Sequence, residues 1–295
     1  MMQNLYKDRR EEGNAPLRQC QLVQLHLLYV FDAICRKHGL QYFLDGGTML
    51  GALRHNGFIP WDDDVDVGMP YKDYKRFLKI ARQELPEDVY LQTPDMVPER
   101  IMSFTKLRDA YSFQDELGGN VLIHRHNGIF LDIFPYYDMP SIGKKGEFFL
   151  AMLSSRTWTY ARAFRQFGRH GYWQAFVGPW VSVLLYVSNR LIHGIIYLLK
   201  FVLKPKRIFI DINFTQVFGY LISDVFPLTL HPFEDGMFYV PRNAENCLAG
   251  QFGDWRALPP EDKRHHHSHL ILPFSNNGVE GTLEYPKRYK MTCEL

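Results

Sequence analysis

The sequence has little of what marks several common classes of protein. Its four cysteines, at positions 20, 35, 247 and 293, form no CxxC pair and no zinc-binding spacing, so we expect reduced, buried thiols in a cytosolic protein. Basic residues exceed acidic ones by only 34 to 32, which argues against nucleic acid as a partner. The N-terminal stretch has no apolar run, so no secretory signal peptide is expected.

The chain does have enough apolar material for a sizeable core. It contains 295 residues, of which 46% are hydrophobic, a composition typical of a globular protein with one large or two modest domains. Amphipathic periodicity predicts helices at 17–38 and 71–85, and short β-rich runs around them predict strands. This alternation predicts an α+β fold with a mixed sheet. We expect a core at 1–142, a helical insertion at 143–225 and a C-terminal part at 226–295 that completes the core.

Charge is distributed unevenly along the chain. No Asp or Glu occurs between Phe148 and Ile210, a stretch that carries nine Lys and Arg residues. Long apolar and aromatic helices are predicted from 145 to 203. Residues 171–189 carry no charge, but Gly178-Pro179 interrupts them, which makes them a weak candidate for a membrane span. We rank a buried core helix first, an interfacial helix second and a membrane-spanning helix third.

The strongest chemical signal is a run of acidic residues at alternating positions. Asp62, Asp64 and Asp66 are spaced by two, so on a predicted strand at 61–69 their side chains would share one face. Two such charges 4 Å apart repel by about 4 kcal/mol at an effective dielectric near 20. Hard oxygen ligands suit Mg²⁺ or Mn²⁺, so the pattern predicts a divalent metal site. The alternative is a solvated acidic turn.

Upstream of this run, Gly46-Gly47-Thr48 lies where a predicted strand gives way to a helix. Without Cβ atoms the backbone can approach a phosphate closely, and the N–H groups at a helix start favour an anion. A common glycine turn is the alternative. Basic side chains that could hold phosphate oxygens, or could simply be surface charges, are Arg54, His55, Lys106 and Arg108.

A third carboxylate is expected from a later strand. Asp132 is the lone acid in the apolar run 128–134, where an isolated charge is rarely placed without a partner. It either completes the metal site or pairs with an arginine such as Arg108 or Arg125. The histidines at 265–269 have no zinc-like spacing, and they predict a loop that closes over substrate and leaves room for one functional histidine.

These segments together resemble the LicD family, the phosphocholine transferases related to fukutin and fukutin-related protein. The resemblance rests on FLDGGTMLGALRHNGFIPWDDDVDVGMPYKDYKRF, on GIFLDIFP and on a later block, and it covers roughly 40–135 and 225–267. It implies a nucleotidyltransferase fold of the polymerase-β type. The glycine pair, the Asp-x-Asp pair and the third aspartate of that family correspond here to Gly46, Gly47, Asp64, Asp66 and Asp132.

The resemblance also implies an activity, namely transfer of phosphocholine from CDP-choline to a sugar of a surface glycan, with Mg²⁺ or Mn²⁺ on Asp64, Asp66 and Asp132. The alternatives are transfer of another CDP-linked unit such as ribitol or glycerol phosphate, transfer of a nucleotidyl group, or a catalytically silent glycan-binding protein. Residues 143–215 match no family block, and Phe252 stands where the family often has Tyr. We expect peripheral contact of 148–207 with the inner face of the cytoplasmic membrane. A basic patch that binds substrate phosphates, or that packs in a dimer, is the alternative.

Overall fold

The computed structural model describes residues 8–96, 103–115, 126–167, 172–213 and 216–275. The α-helices are α1 Pro16–His38, α2 Gly46–His55, α3 Tyr71–Glu84, α4 Lys144–Phe167, α5 Tyr172–Val202, α6 Ile222–Val225 and α7 Ala244–Phe252. The strands are β1 Phe43–Leu44, β2 Asp66–Pro70, β3 Val89–Gln92, β4 Thr105–Asp109, β5 Phe113–Asp115, β6 Phe130–Met139, β7 Arg207–Asn213, β8 Gln216–Leu221, β9 Thr229–Phe233, β10 Gly236–Val240 and β11 Leu270–Leu272. Short 3₁₀ turns occur at Arg10–Glu12, Pro94–Met96 and Glu261–Lys263.

A seven-stranded mixed sheet forms the centre of the fold. Its strands run in the order β1-β2-β6-β4-β3, and β7 pairs with β6 and with β8. The β2–β6 pair is parallel, and the other pairs in this sheet are antiparallel. The predicted α+β class with a mixed sheet is therefore confirmed. Strands β7 and β8 lie within 143–225 and extend the main sheet. The division into core, insertion and C-terminal part remains a prediction.

Helix α1 illustrates how the sequence specifies the elements that cover this sheet. Pro16 occupies its first turn, and Gly39 ends it with a left-handed φ of 59°, a conformation that glycine adopts without steric cost. Its apolar positions join α3 and the sheet in one core that includes Phe31, Phe77 and Leu131. The helices predicted at 17–38 and 71–85 are confirmed within one residue at each end.

The predicted strand at 61–69 is wrong over its first half, because β2 begins only at Asp66. The side chain of Gln21 donates to the carbonyl of Asp62, and that of Gln24 donates to the carbonyl of Asp63. These buried amides of α1 take the backbone acceptors that a neighbouring strand would otherwise use. Residues 62–65 are consequently an irregular segment that enters the sheet at Asp66.

The helices predicted from 145 to 203 are confirmed as α4 and α5, which pack against each other. Our first-ranked interpretation, a buried core helix, is wrong, because only 17% of the most apolar window of α5 is buried. By length and composition alone, Val177–Val202 is the one helix among the described residues that could cross a membrane, with a mean hydropathy of 1.4. The predicted buried thiols are confirmed for Cys20, Cys35 and Cys247, and Cys293 lies outside the described residues.

Candidate active site

A buried aspartate fixes the turn between β1 and α2. Asp45 is the N-cap of α2, and its carboxylate accepts from the backbone N–H of Gly46 at 2.9 Å. The hydroxyls of Tyr136 and Tyr220 donate to its two oxygens at 2.6 and 2.8 Å. Burial raises the pKa of Asp45, and these three hydrogen bonds oppose the rise. The start of α2, with the outward N–H groups of its first turn, is thereby held to β6 and β8.

Two carboxylates lie directly against the glycines of this turn. A Cβ on Gly46, whose φ is +51°, would stand 3.0 Å from Oδ2 of Asp66. A Cβ on Gly47 would stand 2.8 Å from Oδ2 of Asp62. The backbone N–H of Asp66 also donates to the Thr48 hydroxyl at 2.8 Å. The glycine pair therefore makes room for acids, and Thr48 fastens the beginning of β2 to α2.

The acids beside the turn form a strongly negative group, which we call the acid cluster (Asp62, Asp64 and Asp66). Burial, and then the charge of Asp64, raises the pKa of Asp62 to about 8. Burial raises the pKa of Asp66 well above its usual range, and the charges of Asp64 and Asp132 add to the rise. Ligand atoms of Asp62, Asp64 and His267 lie within 4.8 Å of one another. Oxygen ligands held this closely without enough positive charge fit a divalent cation.

Asp132 reaches the same edge of the sheet from β6. It is the register partner of Asp66 in the parallel β2–β6 pair. The Nζ of Lys106, on β4, lies 2.9 and 3.0 Å from its two carboxylate oxygens, and both side chains are buried. A buried ion pair of the kind that we considered for Asp132 therefore exists, and Lys106 makes it; Arg125, one of the two arginines considered, lies outside the described residues. Whether Asp132 also holds a metal ion remains a prediction.

The histidine loop closes on the acid cluster through Asp63. The backbone N–H groups of His267 and Ser268 donate to the two carboxylate oxygens of Asp63 at 2.8 and 2.9 Å. The Nδ1 of His267 then lies 3.7 Å from a carboxylate oxygen of Asp64. The nearby carboxylate of Asp64, followed by those of Asp63 and Asp62, raises the pKa of His267 to about 9 against the effect of burial. Sequence reasoning left the histidine unspecified and gave Asp63 no role, because only the fold brings the loop to the acids.

The other basic residues that we considered have protein partners. Arg54 donates to the carbonyls of Trp255 and Ala257 and to the ring of His55, at the end of α2 opposite the glycine turn. Arg108 is buried and donates to Gln92 and to the carbonyl of Gly128. Of the four basic residues, the structure places Lys106 beside the third aspartate. Phosphate binding by Arg54, Lys106 and Arg108 remains a prediction.

A groove of about 670 Å³ lies along β7 and β8. We call it the basal groove, lined among others by Lys144, Lys145, Arg207 and Tyr220. The hydroxyl of Tyr220 bonds Asp45, the cap of α2. The basic residues of the groove lie at the beginning of α4 and of β7, and Asp224 also lines it.

Comparison with known proteins agrees with this geometry. A sequence profile described as "LicD/FKTN/FKRP, nucleotidyltransferase domain" matches residues 39–183. The chain is 29% identical over 273 residues to the lipopolysaccharide cholinephosphotransferase LicD of Haemophilus influenzae, covering 85% of this chain and 96% of that protein. The chain belongs to the LicD family. Within the LicD family, this protein is a phosphotransferase of the LicD type.

Two further relatives match a shorter part of this chain. The chain is 30% identical over 99 residues to the ribitol 5-phosphate transferase FKRP of Mus musculus and to that of Homo sapiens, which is 34% of this chain and 17% of each FKRP. The LicD profile continues through α4 to residue 183. The expectation that residues 143–215 match no part of the family is therefore wrong for 143–183.

Proposed function

We propose that the protein transfers phosphocholine from CDP-choline to a sugar hydroxyl of a cell-surface glycan of the lipopolysaccharide, capsule or teichoic-acid type, with Mg²⁺ or Mn²⁺. The observation that supports this most is the convergence of Asp62, Asp64 and Asp66 on the Gly46-Gly47 turn. A nucleotide-linked donor carries a diphosphate, and metal-bound carboxylates beside a helix N-terminus suit it. The name of the Haemophilus influenzae relative supports phosphocholine and lipopolysaccharide.

Each part of the site has a role in this proposal. Asp64, Asp66 and Asp132 hold the metal ion, and the helix start at Gly47 faces a donor phosphate. A bound Mg²⁺ would neutralise charge on the diphosphate as the leaving group departs. Lys106 keeps the Asp132 carboxylate oriented through two contacts near 3 Å. The protein's contribution is mainly positioning and charge stabilisation, as in phosphoryl transfer generally.

The proposed reaction is one substitution at phosphorus. The glycan hydroxyl oxygen forms a bond to the choline-bearing phosphorus in line with the leaving group. The bond from that phosphorus to the bridging oxygen breaks, and CMP leaves with the bond's electron pair. Asp132 accepts the hydroxyl proton, because its carboxylate lies at the same edge of the sheet as the metal ligands.

The basal groove is the proposed approach for the acceptor. It is lined by Tyr220, which bonds the cap of α2. Lys144, Lys145 and Arg207 outnumber the acid Asp224 in the lining, which favours an acceptor that carries negative charge. An acceptor assembled on a lipid would meet the protein at the inner face of the cytoplasmic membrane. Peripheral contact of 148–207 with that face, on the cytoplasmic side, is part of the proposal.

Conservative replacement of the acids tests the proposal. Asp64→Asn and Asp66→Asn keep side-chain volume and remove the charged oxygen ligand, so release of CMP from CDP-choline plus acceptor should fall at least about hundredfold. Asp254→Asn, at an exposed position outside the acid cluster, should turn over like the wild-type protein. Near-normal turnover in either cluster variant, with Mg²⁺ present, would remove the metal assignment.

A different CDP-linked donor, such as CDP-ribitol or CDP-glycerol, is the second candidate. It is favoured by the similarity to ribitol 5-phosphate transferase FKRP over 99 residues, since fold alone does not determine the donor. A panel of CDP-linked donors scored by CMP release distinguishes the two, and preference for CDP-ribitol would replace phosphocholine. Calorimetry with Mg²⁺ separates both from a silent glycan-binding protein, in which ion affinity would not rise when the diphosphate is added.

A further inference from the structure

The outward side of α5 is an uninterrupted apolar stripe. Its members recur every three or four residues, which places them along one face of a helix. They are Trp180, Leu184, Val187, Leu191, Ile195 and Leu198, and they are 47–72% exposed. We call this stripe the outer face of α5. Among the exposed positions of Val177–Val202, Arg190 is the one with a permanent charge. Exposed apolar surface of this extent marks a site of interaction.

The opposite side of α5, which packs on α4, carries polar side chains beside the apolar Ile192 and Ile196. Ser182 donates to the carbonyl of Ala161 at 2.7 Å, and buried Asn189 donates to the carbonyl of Ser154 at 2.7 Å. The His193 ring bonds the Ser154 hydroxyl at 3.0 Å. A helix pair in water carries polar side chains on its outward side, whereas the outward side of α5 is apolar. The α4–α5 pair, which we call the hairpin, is therefore suited to surroundings less polar than water.

Charge identifies those surroundings. The chain from 149 to 210 has no Asp or Glu, and Arg156, Lys204 and Lys206 are exposed around the hairpin. A second copy of this surface would bring like charges together, whereas an anionic lipid surface would attract them. We propose that the outer face of α5 seats the protein on an anionic lipid bilayer, with the helix lying in the plane of the interface and its apolar stripe among the acyl chains.

The positions of two arginines favour an α5 that lies in the plane of the bilayer over one that crosses it. Arg190 on α5 and Arg156 on α4 are both exposed, and each lies about 18 Å from the end of its helix nearest the sheet, at 1.5 Å per residue. In a helix that crosses the bilayer both would reach the middle of the hydrocarbon, where a guanidinium is costly. In a helix that lies flat, neither arginine has to enter the hydrocarbon, and long side chains of this kind extend toward the headgroups.

Vesicle flotation tests the proposal without any need for a donor or acceptor. The full chain is mixed with vesicles of phosphatidylglycerol and phosphatidylcholine, or of phosphatidylcholine alone, at about 0.1 M salt. We expect flotation with the anionic vesicles. Leu191→Glu should weaken binding at least about tenfold, and Lys206→Gln about fivefold. The matched control is Leu258→Glu, 51% exposed and outside the hairpin, which should bind like the wild-type protein.

The remaining outcomes separate this surface from the chemistry of the acid cluster. Asp64→Asn should float like the wild-type protein, so a negative result in the transferase assay would not contradict the proposed binding of α5 to lipid. Circular dichroism and thermal unfolding should show Leu191→Glu to be folded, because Leu191 is exposed. Wild-type protein that stays unbound, or Leu191→Glu that binds normally, would overturn the proposal. A dimer that Leu191→Glu dissociates would assign the stripe to a second copy, and resistance to alkaline carbonate extraction would show a spanning helix instead.

Discussion

Gly47→Ala should separate the activity of this protein from its stability. The new methyl group would stand 2.8 Å from Oδ2 of Asp62, and ordinary contact begins near 3.4 Å. The carboxylate, which is the far end of a flexible side chain, must therefore retreat by about 0.6 Å, at little cost in folding free energy. Alanine is itself favoured over glycine in a helix by about 0.5–1 kcal/mol. Stability should thus be unchanged or slightly higher.

Turnover should nevertheless fall, because Asp62 lies close to the proposed metal ligand Asp64 and its shift would disturb that ligand. Metal-ligand distances tolerate only about 0.2 Å, and a misplacement of 1 Å in a catalytic group can cost about hundredfold. We expect kcat/KM to drop about ten- to hundredfold at saturating Mg²⁺. The assay is CMP release with a soluble acceptor, alongside thermal unfolding of the same preparation.

Two other glycines calibrate this result. Gly194→Ala lies in α5 with nothing within 4 Å of the added Cβ, so it should keep wild-type turnover and gain up to about 0.5–1 kcal/mol of stability. Gly46→Ala meets Asp66 at 3.0 Å and also has a φ of +51°, so it should lose activity and about 1–2 kcal/mol of stability. Wild-type turnover in Gly47→Ala would refute the assignment of Asp62 to the site.

Three further substitutions test the contacts that support the site. Tyr220→Phe removes one donor to buried Asp45 and should cost about 1.5–3 kcal/mol in thermal unfolding; a cost below about 0.5 kcal/mol would contradict the role of that bond. Asp63→Ala removes the acceptor for two backbone N–H groups of the histidine loop, and limited proteolysis should cut that loop faster than in the wild-type protein. Arg10→Met leaves Asp109 buried without its closest cation and should cost about 3–5 kcal/mol in urea unfolding, whereas an unchanged midpoint would show the pair to be dispensable.

The sequence was sufficient where the signal was local. Helix α1 and its glycine end followed from periodicity and from a residue that tolerates positive φ. The prediction of a strand at 61–69 was wrong over its first half because side-chain amides of α1, 41 and 39 residues upstream, bind the carbonyls of this segment. A local sequence pattern does not contain such distant contacts. The burial of α5 was misjudged because an apolar helix reads alike whether it faces a core or a lipid surface.

The site was foreseeable in its residues more than in its contacts. The alternation of Asp62, Asp64 and Asp66 predicted that their carboxylates lie on one face. The structure brings them together at the glycine turn, although residues 62–65 form an irregular segment rather than a strand. The pairing of Asp132 with Lys106 depends on the order of strands in the sheet, which the sequence alone left open. The approach of His267 depends on a contact across the whole fold.

The bonds from the histidine loop to Asp63 bear on how this protein reaches its final state. They join residues that are 204 and 205 positions apart in the chain. Closing so long a loop costs more entropy than forming a helix or a hairpin, and it is therefore slower. The central sheet can assemble from nearer partners first. During refolding, transferase activity should therefore return later than secondary structure, and the two should be observed as separate kinetic phases.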